Sequence, residues 1–271
     1  MLILFISALS IGISLGLLGA GGSVMTIPVL VYWLGHGVKE SVTESMAIVG
    51  IISLAALVPY AKAQKVDWRS VWDFGVPGVL GTLIGAWLGG MSTEALQLVA
   101  LGSMLLLAAV IMIRNPLAHS REKSVPCRSF GMIAIDGIVV GIATGFVGVG
   151  GGFLIIPALV HYRKMSMRLA IGTSLAIIVI KAAVGYVKYQ HYLQTHELVV
   201  NTQTIVIFSI IGIAGSRFGS HINMQMKQYR LRQAFAGFLI LLGGFVVVHE
   251  TSELLESPLK QSPAHAIRVV E

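Results

Sequence analysis

Two stretches decide how this chain folds: Gly19-Ala-Gly-Gly-Ser-Val-Met-Thr-Ile-Pro28 and Gly148-Val-Gly-Gly-Gly-Phe-Leu-Ile-Ile-Pro157. Each opens a short apolar run, 23–35 in the first case and 153–162 in the second. At about 1.5 Å per helical residue these reach only about 20 Å and about 15 Å, against about 30 Å of hydrocarbon in a bilayer. Each therefore reads as a half-helix that forms a hairpin with the apolar segment before it, with the glycine run at the tip and Pro28 or Pro157 as a structural hinge. Unwound backbone at membrane depth is tolerated only where it is buried in protein or lines a cavity. The two tips are thus expected to meet near the middle of the molecule.

A bilayer is the right setting for such a reading. Of 271 residues, 55% are hydrophobic and only 11% charged, where a soluble domain carries about 25% charged. The mean hydropathy of +0.84 and the 31 glycines describe apolar helices approaching closely through small residues. At about 20 residues per crossing the length has room for eight to ten spans. Apolar stretches fall at 2–18, 23–35, 46–61, 71–90 and 95–113, then at 130–148, 153–162, 169–187, 199–220 and 234–248. The expected organisation is an N-terminal membrane repeat over 1–113, a polar linker over 114–129, a C-terminal membrane repeat over 130–248 and a polar tail over 249–271. The first stretch lacks a basic leader and runs into Gly-Ala-Gly-Gly rather than a cleavage site, so it reads as mature protein. The single cysteine, Cys127, excludes an internal disulfide and a multi-cysteine metal site.

The halves repeat. Gly12, Gly16, Gly19, Gly21, Gly22 and Pro28 match Gly141, Gly145, Gly148, Gly150, Gly151 and Pro157 at one constant offset, which also pairs Lys39 with Arg168, Ser45 with Ser174, Ala47 with Ala176 and Tyr60 with Tyr189. One residue further on, Gly85 and Gly89 fall on Gly215 and Gly219. A shared proline and serine in register point to duplication rather than to chance among glycines. Basic residues are retained on the cytoplasmic side, and most of the 19 cluster in 62–70, 114–129, 163–168 and 221–233. Placing those four segments inside gives an all-α, multi-pass protein of the cell (inner) membrane with both termini external. Five strokes per half make the repeats insert upside down relative to one another, a plan common among secondary transporters. The +7 net charge is then a topology signal, with no nucleic-acid partner implied.

At the tips, glycines let successive backbone N–H groups converge, and each half-helix directs its positive dipole end to the same point. The candidate substrate-binding groups are Gly19, Gly21, Gly22 and Ser23 at one tip and Gly148, Gly150, Gly151 and Gly152 at the other, with an anion as occupant. The competing use of these glycines is close helix packing. Charged or polar residues inside apolar stretches are costly and point to function. Lys181 is a candidate anion ligand, against snorkelling toward the outer surface near Tyr186. Thr173 and Ser174 are candidates near the second tip and Ser45 near the first, against ordinary interhelical hydrogen bonding. Asp136 is a candidate coupling residue, against an inner-surface ion pair. Arg217 reads as an interfacial anchor. The eight histidines read as loop residues with no metal-ligand spacing.

The two glycine stretches, the run Ala170-Ile-Gly-Thr-Ser-Leu-Ala176, the Val66-Asp-Trp68 before the fourth segment and the paired Gly85/Gly89 and Gly215/Gly219 resemble, in order and across about residues 5 to 248, the TauE/SafE family of membrane transporters. The resemblance implies export or uptake of small sulfur-containing anions such as sulfite, thiosulfate, sulfonates and related organic acids. Ser23 stands for a third glycine in the first half, Thr43-Glu44 stands where the second half has Gly172-Thr173, and 193–198 lacks the Val-Asp-Trp pattern, so the hairpins are unequal. There is no Gly-x-Ser-x-Gly elbow, His-Glu-x-x-His or Gly-Lys-Ser/Thr loop, so neither an enzyme nor a cofactor nor direct use of ATP is expected. The partners expected are a small anionic substrate and the lipid bilayer, with oligomeric state left open. The alternative is a non-transporting membrane scaffold whose glycines serve packing alone.

Overall fold

In a computed structural model, residues 2–19, 21–114, 130–149, 152–163, 165–196 and 198–260 are described. Gly150, Gly151 and nearly all of the 114–129 linker lie outside them. The described residues are almost wholly helical, without strands. In the first half the order is α1 (Leu2–Leu18), α2 (Gly21–Pro28), α3 (Val38–Lys62), α4 (Trp68–Ser70), α5 (Val76–Met91) and α6 (Glu94–Arg114). In the second it is α7 (Phe130–Val147), α8 (Gly152–Tyr162), α9 (Met167–Thr195), α10 (Thr202–Gln225) and α11 (Gln228–Lys260). Because α11 runs to Lys260, the segment set apart above as a polar tail begins as a continuation of that helix.

Six helical stretches are long and apolar enough to cross a membrane: Val38–Lys62, Trp68–Met91, Glu94–Ile113, Met167–Thr195, Thr202–Gln225 and Gln228–His249. The four shorter apolar helices Leu4–Leu18, Gly22–Trp33, Gly131–Val147 and Gly152–His161 are the two hairpins. The eight-to-ten segments thus resolve into six full-length helices and two pairs of short ones. After Pro28 the first half-helix loosens into a π-helical turn over Val29–Trp33, because proline cannot donate to the regular ladder. Pro157 sits inside α8 without such a change. All four tryptophans, Trp33, Trp68, Trp72 and Trp87, are exposed toward helix ends, as interfacial aromatic anchors are.

Glycine decides which helices touch. α1 and α10 run parallel with their backbones in contact: a methyl group on Gly12 would fall on Gly212 and one on Gly16 on Ser216, while one on Gly219 would strike Ile13. The second hairpin repeats this arrangement against α5, with Gly141 on Gly78 and Gly81, Gly145 on Thr82, and Gly85 on Ile142 and Phe146. The two long helices α3 and α9 cross at the centre. Each sends a buried tyrosine to the opposing hairpin arm of its own repeat. Tyr60 donates to the Gly16 carbonyl at 2.9 Å and Tyr189 to the Gly145 carbonyl at 3.1 Å. Two side-chain amides reach the neighbouring carbonyls from the other half: Asn223 donates to the Leu17 carbonyl at 2.5 Å and Gln97 to the Phe146 carbonyl at 2.7 Å. Tyr60→Phe and Tyr189→Phe should therefore destabilise by similar amounts, about 0.5–1.5 kcal/mol each, read as paired drops in the detergent melting midpoint. A loss confined to one of them would mean that the two halves do not share this support.

Candidate functional site

Each hairpin breaks at a glycine in the left-handed region, Gly19 at φ 72° and Gly148 at φ 79°. That conformation is open to glycine and strained for other residues. Their own N–H groups are already engaged, Gly19 with the Leu15 carbonyl at 2.8 Å and Gly148 with the Thr144 carbonyl at 3.0 Å. Donors left for a ligand at the tips therefore belong to the residues that open α2 and α8, not to these two. Gly22 does not share the left-handed conformation. It is packed against the Ile11 carbonyl and Leu15 of α1, so its lack of a side chain closes the hairpin. Ser23, Gly152 and Phe153 are all buried, and the half-helices α2 and α8 meet.

The tips are seated crosswise. Gly19 lies against Ile171 of α9, and Gly148 against Val42 of α3, positions equivalent in the two halves. Ser45 accordingly donates to the Gly148 carbonyl at 3.0 Å, as well as to Val42 at 2.9 Å. This reverses the expectation that Ser45 serves the first tip: the crossing of α3 and α9 carries each helix to the hairpin of the other half. Ser174 bonds back at 2.8 Å to the carbonyl of Ile171, the residue on which the first tip is seated. Thr173 is turned away from the second tip and accepts from the Asp67 N–H at 2.9 Å.

Lys181, midway along α9, is 1% exposed and does not snorkel. Its Nζ lies 3.4 Å from Thr144 Oγ1, on the residue whose carbonyl holds the Gly148 N–H. Its stem packs against the bare face of Gly78 on α5. Among the described residues no carboxylate stands within ion-pair distance of it. The equivalent position in the first half is Ile52, so the cation belongs to one side only. Asp136 is half-buried in the second turn of α7 and has a partner. Arg217 is exposed on α10.

The two cations paired by the repeat turn out to be helix caps. Lys39 donates to the carbonyls of Gly89 and Ser92 at the end of α5, at 2.5 and 2.9 Å, and to Gln97 at 2.8 Å. Arg168 donates to the Met226 carbonyl at the end of α10, at 2.5 Å. Positive side chains favour the negative ends of helix dipoles. Sequence reasoning missed His36, which sits with Nδ1 2.7 Å from Oε2 of the buried Glu44. Glu44 Oε1 accepts from the Asn201 N–H at 2.7 Å. The signal was present in Glu44, a carboxylate placed where the other half carries the candidate Thr173.

A bundle of six full-length helices around two broken hairpins, with a buried cation beside one break, defines a multi-pass membrane protein. The chain belongs to the sulfite exporter TauE/SafE family, whose model matches residues 4–246. It is 29% identical over 253 residues to a probable membrane transporter protein of Xylella fastidiosa strain Temecula1, covering 90% of this chain and 94% of that one. It is 24% identical over 261 residues to one of Methanocaldococcus jannaschii, covering 91% and 95%, and 25% identical over 273 residues to the probable membrane transporter protein YunE of Bacillus subtilis, covering 89% and 95%. No solved structure matches the chain. The protein is a membrane transporter.

Proposed function

We propose that this transporter is a secondary carrier of small sulfur-containing anions, sulfite, thiosulfate or a sulfonate, which bind between the two hairpin tips beside Lys181. The observation that carries the reading is Lys181 itself. A lysine buried to 1% exposure with no carboxylate in ion-pair distance among the described residues is expensive in an apolar interior, and an anion arriving beside it supplies the missing countercharge. Thr144 and the amides opening α8 complete the polar surroundings, and the family's name favours sulfite as the first compound to try. The oppositely inserted halves would then rock about this point, one hairpin opening toward each face. Nucleic acid has no part in this reading, and the bilayer is the only other partner it needs.

Lys181→Met tests it. Purified protein in detergent should melt at a higher temperature in sulfite than in chloride, since a ligand bound to the native state stabilises it as RT ln(1 + [L]/Kd). A panel of sulfite, thiosulfate, sulfate, a sulfonate and a carboxylate ranks the substrates. The Met variant should stay folded and lose the shift, and Lys181→Arg should keep part of it. If Lys181→Met retains the full sulfite shift, the anion binds elsewhere or not at all, and the lysine is structural.

A further inference from the structure

The cluster around Glu44 has a counterpart at the opposite end of the protein. Glu44 and Thr173 occupy equivalent positions on α3 and α9, and each accepts a backbone N–H from the residue that caps the helix following the other half's crossing helix. The donor is Asn201 ahead of α10 in one case and Asp67 ahead of α4 in the other. Both donors are true N-caps: the Asn201 side chain accepts from Thr204 N at 3.1 Å and the Asp67 side chain from Arg69 N at 3.1 Å. In each case a basic side chain from the segment following the half-helix completes the tie. His36 reaches Glu44 at 2.7 Å, and Arg163 reaches Asp67 at 3.8 Å and Asp73 at 4.0 Å. Three elements are joined at each end: the exit from a hairpin, a central crossing helix and the entry to a helix of the other half.

We infer that the His36–Glu44–Asn201 cluster is a proton-operated latch at one end of the transport path, opposed at the other end by the arginine-held Arg163–Asp67–Thr173 cluster. The inference rests on the transport reading above, because two ties that bind equivalent elements at opposite ends are what a carrier must release in turn. Opening the His36 end means parting the Asn201 loop from α3, which exposes Glu44 to water. With a neutral imidazole the tie is an ordinary hydrogen bond to a carboxylate. With a protonated one it becomes a charge pair, roughly twice as strong. Histidine is the side chain whose charge changes between about pH 5 and pH 8, whereas arginine keeps its charge throughout. The other ionisable groups facing His36 are Glu40 beside Gly37, and Glu94, His249 and Tyr32 around a cavity of about 630 Å³ that His36 also lines. The loop-charge topology places this end outside, so external protons would hold it shut.

Ser41 and Ala170 report on the two ends. They are equivalent positions on α3 and α9, both fully buried, and the Ser41 hydroxyl has no hydrogen-bond partner to lose. In a Cys127→Ser background, Ser41→Cys and Ala170→Cys are reacted with a charged methanethiosulfonate at pH 5.5 and 8.5, and each rate is divided by that of the same variant unfolded in dodecyl sulfate at the same pH. The expected normalised rate at Ser41→Cys is about tenfold lower at pH 5.5, the smaller end of what a hydrogen bond to a charged group contributes. Adding His36→Gln should abolish that difference. Ala170→Cys should react alike at both pH values, and faster at both when Arg163→Met is added. Equal rates at Ser41→Cys, a difference that survives His36→Gln, or the same difference at Ala170→Cys overturns the latch. The assay needs no substrate, so a protein that ignores sulfite can still pass it, and one that binds sulfite can still fail.

Discussion

Gly12→Ala should lower the detergent melting midpoint by roughly 6–12 °C, taking overpacking at about 3 kcal/mol and about 2–4 °C per kcal/mol for a chain of this size. The methyl would come to rest 2.7 Å from the Gly212 Cα and 2.8 Å from its carbonyl carbon. Those are backbone atoms of α10, which cannot rotate aside as a side chain would, so the whole helix has to move. Gly85→Ala should cost a similar amount, because its methyl would meet the Phe146 amide nitrogen at 2.7 Å in the equivalent α5–α7 contact. Gly237→Ala and Gly244→Ala are the controls, since no heavy atom lies within 4 Å of a side chain at either position. In the interior of α11 they should gain about 0.5–1 kcal/mol from the stiffer backbone. If Gly12→Ala and Gly244→Ala melt together, the parallel backbone contacts are not what holds the hairpins in place.

The second large effect is expected at the tips. Gly148→Ala combines two penalties: a left-handed backbone, about 1–2 kcal/mol for a residue with a Cβ, and a collision with Val42, whose Cβ would stand 3.0 Å away. Gly19→Ala meets Ile171 Cγ2 at 2.6 Å under the same backbone strain. Trimming the neighbour relieves only the collision. Val42→Ala combined with Gly148→Ala, and Ile171→Ala with Gly19→Ala, should each be less damaging than the sum of the single changes, with couplings of about 1–3 kcal/mol. The backbone strain should persist in both pairs. Additive costs in both cycles would mean that the tips are not seated on the opposite half.

Much of this architecture could be read from spacing. A glycine run followed by a proline and a stretch too short for the bilayer admits few structures other than a hairpin, and the constant offset between halves carried that reading from one to the other. Partners were not readable in the same way. Periodicity assigns Ser45 to a face of α3 but contains nothing about which tip that face meets, and the crossing of α3 with α9 decides it. Lys181 posed a similar difficulty, since an apolar run looks the same whether its lysine snorkels or is sealed in. The bare surface of Gly78 on a distant helix gives its side chain room inside. His36 reads as a loop residue because nothing in the spacing links it to Glu44, eight positions on. Their pairing depends on the tight Gly35–Gly37 turn, in which Gly35 takes φ 69°.

The parallel contact of α1 with α10 also sets the order in which the protein can be completed. α1 leaves the ribosome ahead of the other described helices, and the surface that receives its glycines belongs to Thr202–Gln225. At about 5–20 residues per second, something like 10–40 s pass before that surface exists. Until α9 emerges the tip of the first hairpin has no Ile171 to rest on, and until α10 follows it the glycines of α1 have no helix to meet. The second hairpin, by contrast, emerges to find α5 and α3 already in place. Assembly should therefore proceed backwards along the chain, the later hairpin docking first and the earliest helix last, and variants that slow insertion of α10 should leave the N-terminal hairpin, rather than the C-terminal one, exposed to membrane proteases.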